Sequence, residues 1–83
     1  MDLTFSPEAT RQLLGIPRAD AKRLHKALQQ VADAHPQRMS FVSELVAEPG
    51  NWRLRKGDYR ALYRLTENEM IVYRIGHRRD VYE

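Results

Sequence analysis

The chain has 83 residues, of which 42% are hydrophobic and 30% are charged, and its formal net charge is +3. This apolar content is typical of one small globular domain, expected over 1–83, and argues against a disordered chain. The sequence contains no cysteine, which excludes a disulfide framework and a thiolate metal site. It also has no apolar stretch near the roughly 20 residues of a membrane span and no signal-peptide pattern, so we expect a cytoplasmic protein without a membrane partner.

The N-terminal part is predicted to hold a short strand and two helices. Leu3 and Phe5 share one face at the two-residue period of a strand. Ser6 and Pro7 begin a first helix, because serine caps free N–H groups and proline suits the first turn. A second helix is expected over 19–34, before a proline ends it. The apolar positions of the two helices are Ala9, Leu13, Leu14, Leu24, Ala27, Leu28 and Val31.

The C-terminal part is predicted to be a β-sheet. Residues 37–51 have a weaker pattern, which we interpret as an irregular or partly helical connector. Three runs rich in aromatic and branched residues follow at 52–55, 59–65 and 70–75. Because the links between these runs are short, the strands should pair as consecutive antiparallel hairpins. The predicted fold class is α+β, with a helix hairpin packed on an antiparallel sheet of about four strands.

Alternation along the three runs separates an apolar side of the sheet from an arginine-rich side. The apolar side is predicted to hold Trp52, Leu54, Tyr59, Ala61, Tyr63, Leu65, Ile71, Tyr73 and Ile75. The opposite side is predicted to hold Arg53, Arg55, Arg60, Leu62, Arg64, Val72 and Arg74, with Arg78 following beyond Gly76. Such a surface can simply be the solvated side of a sheet. However, like charges on neighbouring strands repel, and a guanidinium grips phosphate at two points, so we favour nucleic-acid binding.

Two motifs of this chain resemble the RelE/ParE toxin superfamily. The segment GNWRLRKGDYRALYRL at 50–65 resembles its central hairpin, and GHRRDVY at 76–82 resembles the end of RelE-like members. With the opening FSPEA at 5–9 and the helix hairpin, the resemblance covers nearly the whole chain. It implies two N-terminal helices on an antiparallel sheet, which agrees with the layout predicted from the residues.

The RelE branch of this superfamily implies a function. Its members are toxins of type II toxin–antitoxin systems that cut messenger RNA on the ribosome without a metal or other cofactor. The RNA 2′-hydroxyl attacks the adjacent phosphorus, leaving a cyclic phosphate and a free 5′-hydroxyl. The implied partners are the ribosome, the mRNA and a cognate antitoxin protein, which neutralises the toxin in a hetero-oligomer that binds operator DNA through the antitoxin.

The resemblance also assigns roles to individual residues. Arg60 matches the arginine after the hairpin tyrosine and would stabilise negative charge on the phosphorus oxygens. Arg78 would neutralise or protonate the leaving oxygen, and neutralisation is favoured because arginine hardly releases its proton. Tyr82 would act on the 2′-hydroxyl, stack on a base or merely pack on the sheet, and His77 is either a general acid or a turn residue. RNA binding is expected of Arg53, Arg55, Arg64, Arg74 and His77.

Two other functions stay open from the sequence. A ParE-like toxin that poisons DNA gyrase shares the fold, and fold does not settle function. The pair Arg78 and Tyr82 argues against it, because ParE-like members generally lack that pair. The other candidate is a non-catalytic module that holds RNA or an acidic antitoxin segment on the arginine-rich side. Three scattered histidines without a nearby ligand set argue against a metal site.

Overall fold

The computed structural model describes residues 1–81, which form two helices and a five-stranded sheet. The elements are β1 (Asp2–Phe5), α1 (Pro7–Gly15), α2 (Arg18–Ala34), β2 (Val42–Glu44), β3 (Asn51–Lys56), β4 (Tyr59–Leu65) and β5 (Glu69–His77). The strand order across the sheet is β1-β5-β4-β3-β2. The first strand runs parallel to β5, and every other pairing is antiparallel. The predicted α+β class is therefore confirmed.

Both helices begin within one residue of the predicted positions. The Ser6 hydroxyl accepts a hydrogen bond from Ala9 N at 3.1 Å, which is the N-cap predicted from the sequence. The apolar face of α1 is narrower than predicted, since Leu13 packs against the core while Leu14 is 81% exposed. Neighbouring residues on a helix point about 100° apart, so a nine-residue helix lying on β5 buries only one of the two.

The hydrophobic core lies between the two helices and one side of the sheet. Its centre is the Tyr63 side chain on β4, which is 1% exposed although it carries a hydroxyl. Trp52 on β3 stacks on Tyr63 with ring centroids 6.4 Å apart, at the edge of this core. The largest fully buried side chains are Tyr63, Leu24, Leu28, Leu54, Met70 and Val72.

The connector predicted to be irregular or partly helical contains a fifth strand. Residues of β2 pair with β3, and Val42 lies opposite Leu54 with its side chain buried. Three residues are too few to display the alternation that identifies a strand in sequence. After β2, the chain returns to β3 through a loop in which Leu45 N donates to Asn51 O at 2.8 Å.

A β-bulge in β5 corrects one part of the predicted pattern. Leu62 pairs with Arg74 but Tyr63 pairs with Val72, so Tyr73 is an extra residue in β5. The bulge turns Val72 and Met70 into the core, where both are fully buried. The prediction that Val72 faces the arginines and that Ile71 and Tyr73 face the helices was therefore wrong. Strict alternation cannot anticipate an inserted residue, because it changes the side on which all earlier residues of the strand lie.

Candidate nucleic-acid interface

The side of the sheet that faces away from the helices carries most of the arginines of the C-terminal part, and we call it the arginine face. Its residues form three rows across the strands. One row joins Arg55, Arg60 and Gly76, the next joins Ser43, Arg53, Leu62 and Arg74, and the third joins Asn51, Arg64 and Ile71. Tyr73 joins this face at the bulge, where the Arg64 guanidinium lies 5.8 Å from the centre of its ring.

Arg60 lies within electrostatic reach of several other charged residues of this face. Partial burial lowers the pKa of its guanidinium, and the positive charges of Arg55, Arg53 and Arg78 lower it further, while Asp58 opposes them. Arginine keeps its proton at neutral pH in spite of such shifts, because its ordinary pKa lies far above neutrality. The structure thus brings four predicted site residues within electrostatic reach of one another.

Backbone carbonyls hold the guanidinium of Arg60 in place. Its Nη1 donates to Tyr59 O at 3.0 Å and to Gly57 O at 3.1 Å, both in or beside the turn between β3 and β4. Gly57 makes this tight turn with a φ of 60°, a conformation that glycine adopts without strain. The turn therefore fixes one nitrogen of the guanidinium and leaves Nε and Nη2 as donors for an anion.

The turn after β5 carries Arg78 to the same place. Arg78 N donates to Asp58 O at 2.7 Å, which joins the end of β5 to the turn between β3 and β4. The Arg78 and Asp58 side chains also pair at 3.9 Å, but both are more than half exposed, so this ion pair is weak. The backbone hydrogen bond, more than the ion pair, therefore sets the position of Arg78.

Gly76 lies beside Arg60 in the same row of the arginine face, and the chain folds back over it. A Cβ atom built on Gly76 would lie 2.7 Å from Cγ2 of Val81, closer than real Cβ atoms approach another carbon. Both Asp80 N and Val81 N donate to His77 O, which closes the turn that makes this approach possible. The absence of a side chain at 76 thus lets the turn after β5 rest on the arginine face.

The end of the arginine face that is distant from Arg60 contains a pocket with an aromatic ring and polar side chains. A pocket of about 350 Å³ is lined there by Glu48, Asn51, Arg64 and Tyr73. Glu48 belongs to the loop between β2 and β3, and this loop is anchored by Leu45, which is 4% exposed. Leu45 and Leu62 are both buried but lie outside the main core cluster, so the loop covers the middle row of the arginine face.

A known protein family matches nearly the whole chain. The family model described as "ParE toxin of type II toxin-antitoxin system, parDE" matches residues 3–82. The chain belongs to this toxin family. No curated protein matches the sequence significantly.

Solved structures of RelE-like toxins share the fold of this toxin. RelE of the RelB-RelE complex from Methanococcus jannaschii superposes with a TM-score of 0.79 at 18% identity, covering 95% of this chain and 94% of that one. The isolated Escherichia coli RelE toxin gives 0.78 at 19% identity, with 92% and 82% covered. YafQ from E. coli gives 0.76 at 16% identity, with 99% and 98% covered. At such identities the likeness establishes the fold.

One predicted site residue of the toxin, His77, is not brought to Arg60. His77 pairs with Tyr59, and the two rings meet edge to face at 5.7 Å on the helix side of the sheet. Its Nδ1 accepts a hydrogen bond from Arg79 N at 3.2 Å, so its side chain stabilises the turn after β5. Tyr82 lies outside the described residues, and its role stays a prediction.

Sequence reasoning missed three contributors to the arginine face. Tyr73 was assigned to the core because the bulge has no signal in the sequence. Glu48 and Asn51 belong to the connector that was predicted to be irregular or partly helical, and the structure places them in the pocket beside Tyr73. Within residues 1–81, no group of three or more His, Cys, Asp or Glu residues is arranged to hold a metal ion. In the same part of the chain, no helix is long and apolar enough to cross a bilayer.

Proposed function

We infer that this toxin is an endoribonuclease that cuts messenger RNA on the ribosome, and that the scissile phosphate binds beside Arg60. The observation that carries this inference is that the positive charges of Arg53, Arg55 and Arg78 all act on Arg60. Repulsion among four guanidinium groups costs stability, and a bound phosphodiester would remove that cost. Arg55 and Arg78 are exposed and Arg60 is only partly buried, so an extended RNA strand can reach these guanidinium groups.

The chemistry proposed for this site is a transfer within the RNA. The 2′-oxygen forms a bond to the adjacent phosphorus, and the bond from that phosphorus to the 5′-oxygen breaks. The 2′-hydroxyl gives up its proton and the 5′-oxygen gains one, so the products are a cyclic phosphate and a free 5′-hydroxyl. Negative charge grows on the phosphorus oxygens in between, where preorganised donors stabilise it most.

Arg60 is suited to bind those oxygens, because its Nη1 is already fixed by two carbonyls and need not reorganise during the reaction. Arg78 is more than half exposed on its side chain and would neutralise the leaving 5′-oxygen. Arg53 and Arg55 would bind the flanking phosphates, together with Arg64 and Arg74 further along the sheet. Tyr82 would act on the 2′-hydroxyl.

The charged groups around Arg60 support the proposed dependence on the ribosome. The charged groups that act on Arg60 are three arginines and Asp58, and Asp58 is paired with Arg78. Among residues 1–81, none of the charged groups that act on Arg60 is a strong base, so catalysis would depend on accurate alignment of the 2′-hydroxyl with the leaving group, which the bound ribosome would supply. We therefore expect the isolated toxin to cleave free RNA poorly.

The proposed partners of the toxin include a cognate antitoxin. Solved relatives from M. jannaschii, Mycobacterium tuberculosis and E. coli are complexes of a toxin with an antitoxin. By analogy, an antitoxin would cover this toxin and neutralise it in the cytoplasm, in a hetero-oligomer that binds operator DNA through the antitoxin. An acidic segment would suit the arginine face.

Primer extension on ribosome-bound messenger RNA tests the proposed activity. Wild type should cut the message, and Arg60→Ala should cut it at least about a hundredfold more slowly, as expected for removing a group that stabilises the transition state. The matched control is Arg11→Ala, which removes the same charge from the exposed surface of α1. Undiminished cutting by Arg60→Ala, or no cutting by the wild type, would overturn the proposal.

A second candidate function is inhibition of DNA gyrase, which the name of the matching family favours. Its test is a gyrase supercoiling assay run beside the ribosome assay with the same protein preparation. Inhibition of supercoiling without RNA cleavage would identify the gyrase function. Growth inhibition that survives Arg60→Ala, with transcripts intact, would instead favour a non-catalytic binding module.

A further inference from the structure

The pocket at the far end of the arginine face combines an aromatic ring with three polar groups. Tyr73 is half-buried, and Glu48, Asn51 and Arg64 line the same space of about 350 Å³. Burial raises the pKa of the Tyr73 hydroxyl, and the nearby Glu48 carboxylate raises it further, against the opposing charges of Arg64 and Arg74. The uncharged phenol thus lies within electrostatic reach of a carboxylate and two guanidinium groups.

The polar groups of this pocket are available to a ligand. Within residues 1–81, neither the Glu48 carboxylate nor the Asn51 side-chain amide makes a hydrogen bond to another protein group. The backbones of both residues are nevertheless held, because Asn51 N donates to Glu48 O at 3.0 Å and Leu45 N donates to Asn51 O at 2.8 Å. The loop and the start of β3 therefore present these two side chains from a fixed backbone.

The contact between Arg64 and Tyr73 can be exchanged for a contact with a ligand. Arg64 is exposed, and a cation–π contact at an exposed site contributes only about 0.5–1 kcal/mol. A planar nucleobase offers the Tyr73 ring a larger stacking surface, while the guanidinium of Arg64 can move to the phosphate of the same nucleotide. Aromatic stacking and an adjacent cation are the two features that bind single-stranded RNA.

We propose that Tyr73, Glu48, Asn51 and Arg64 form a subsite that binds an unpaired guanine of the RNA. Tyr73 would stack on the base and Arg64 would bind its phosphate. A carboxylate accepts two hydrogen bonds side by side, and guanine presents two neighbouring donors, N1–H and the 2-amino group, on its Watson–Crick edge. The Asn51 amide would donate to O6 of the same base.

This subsite rests on the proposed function, because one RNA strand would have to reach both the subsite and Arg60. The spacing of the two sites allows this. Arg60 and Arg64 lie four residues apart on β4, which corresponds to about 13 Å along a strand. An extended RNA spans that distance in about two nucleotides, so the subsite would read a base near the scissile phosphate rather than the reacting nucleotide itself. It would make cleavage depend on sequence.

Binding of short RNA to the full toxin tests the subsite separately from cleavage. The probes are fluorescent, fully 2′-O-methylated uridine oligomers with one central guanosine, inosine or adenosine, and the readout is fluorescence anisotropy without ribosomes. The methyl groups prevent attack by the 2′-oxygen. Wild type should bind the guanosine oligomer several-fold more tightly than the inosine oligomer, which lacks the 2-amino group, and more tightly still than the adenosine oligomer.

Variants assign this preference to individual groups. Tyr73→Leu should weaken binding of the guanosine oligomer about tenfold, while Tyr73→Phe should bind like wild type because the ring is kept. Glu48→Gln should abolish the preference for guanosine over adenosine, and Glu67→Gln, an exposed loop glutamate elsewhere, should not. Arg64→Gln should weaken binding of all three oligomers equally.

The outcomes separate this subsite from the proposed nuclease activity. Guanosine-dependent binding that Tyr73→Leu and Glu48→Gln remove would support the subsite even if ribosomes reveal no cleavage. Equal affinity for the three oligomers, unchanged affinity in Tyr73→Leu, or no RNA binding by the wild type would overturn it, whether or not the toxin cuts messenger RNA.

Discussion

Arg55 and Arg60 lie directly opposite each other across β3 and β4. Residues paired in this way have Cβ atoms about 4.5–5.5 Å apart, and like charges at that distance destabilise a sheet. Arg53 and Arg78 add to the positive field around Arg60. The protein therefore carries an electrostatic cost on the surface proposed to bind RNA, and this cost is measurable in the free toxin.

Removing one charge of this pair should stabilise the free toxin. Arg55→Gln is the suitable variant because Arg55 is exposed, whereas Arg60 also donates to two carbonyls. We expect the free energy of unfolding in urea to rise by about 0.5 kcal/mol at low salt, and the gain to shrink as salt screens the repulsion. RNA affinity should fall in the same variant.

Arg11→Gln provides the control for this measurement, since it removes an exposed charge from α1. Its unfolding free energy should change little and should not depend on salt in the same way. A lower stability of Arg55→Gln at low salt would show that Arg55 is held by favourable contacts rather than by the needs of a ligand.

The parts of the fold that the sequence predicted correctly are those with local physical signals. Ser6 and Pro7 define the start of α1 through groups within one turn of helix. The turn at Gly57 defines the hairpin of β3 and β4, and alternation then places Arg53, Arg55 and Arg60 on one side. The two-residue period of a strand was sufficient to predict that these arginines lie on the same side of the sheet.

The parts that the sequence did not predict depend on pairing between distant segments. The side on which Tyr73 lies depends on an extra residue in β5 relative to β4, which is a property of the pair and not of either strand. Glu48 in the loop and Asn51 at the start of β3 meet Tyr73 only after β2 has paired with β3. For His77, a turn residue was one of two alternatives, and its side of the sheet follows from the register with Tyr59.

The contact between Gly76 and Val81 predicts that a methyl group at position 76 displaces the turn after β5. Gly76→Ala should lower cleavage on the ribosome about tenfold, because Arg78 belongs to that turn and positions a charge near Arg60. The amide resonance of Arg78 should also shift in a ¹H–¹⁵N spectrum, since its N–H donates to Asp58 O.

A second substitution distinguishes displacement from general damage to the sheet. In the double variant Gly76→Ala with Val81→Ala, the Cγ2 atom that collides with the new methyl group is removed. Cleavage and the Arg78 resonance should then return toward their wild-type values. If the double variant stays as impaired as Gly76→Ala, the effect does not act through Val81.

Burial of Tyr63 predicts how stability depends on alkaline pH. Burial raises the pKa of its hydroxyl to about 12, while an unfolded chain releases the same proton near pH 10. The folded state then retains a proton that the unfolded state loses, so stability is complete below pH 10 and falls as pH rises towards 12. The expected loss across that interval is about 2–3 kcal/mol.

Urea unfolding at pH 9, 10 and 11 measures this contribution, with Tyr63→Phe as the comparison. The variant keeps the aromatic ring beside Trp52 and has no hydroxyl to titrate. The free energy of unfolding of the wild type should therefore fall relative to that of Tyr63→Phe as pH rises. Parallel curves for the two proteins would mean that the Tyr63 hydroxyl is not held in its neutral form by the fold.

The fixed guanidinium of Arg60 predicts that lysine cannot replace it. Arg60→Lys keeps the positive charge but has one nitrogen in place of three, whereas Arg60 binds two carbonyls through Nη1 and retains Nε and Nη2 for phosphate. Single-turnover cleavage on ribosomes should fall about 10–100-fold in this variant, while the salt dependence of RNA binding should remain close to wild type. Cleavage at the wild-type rate would mean that only the charge at position 60 matters, and the hydrogen bonds that hold Arg60 would then have no part in catalysis.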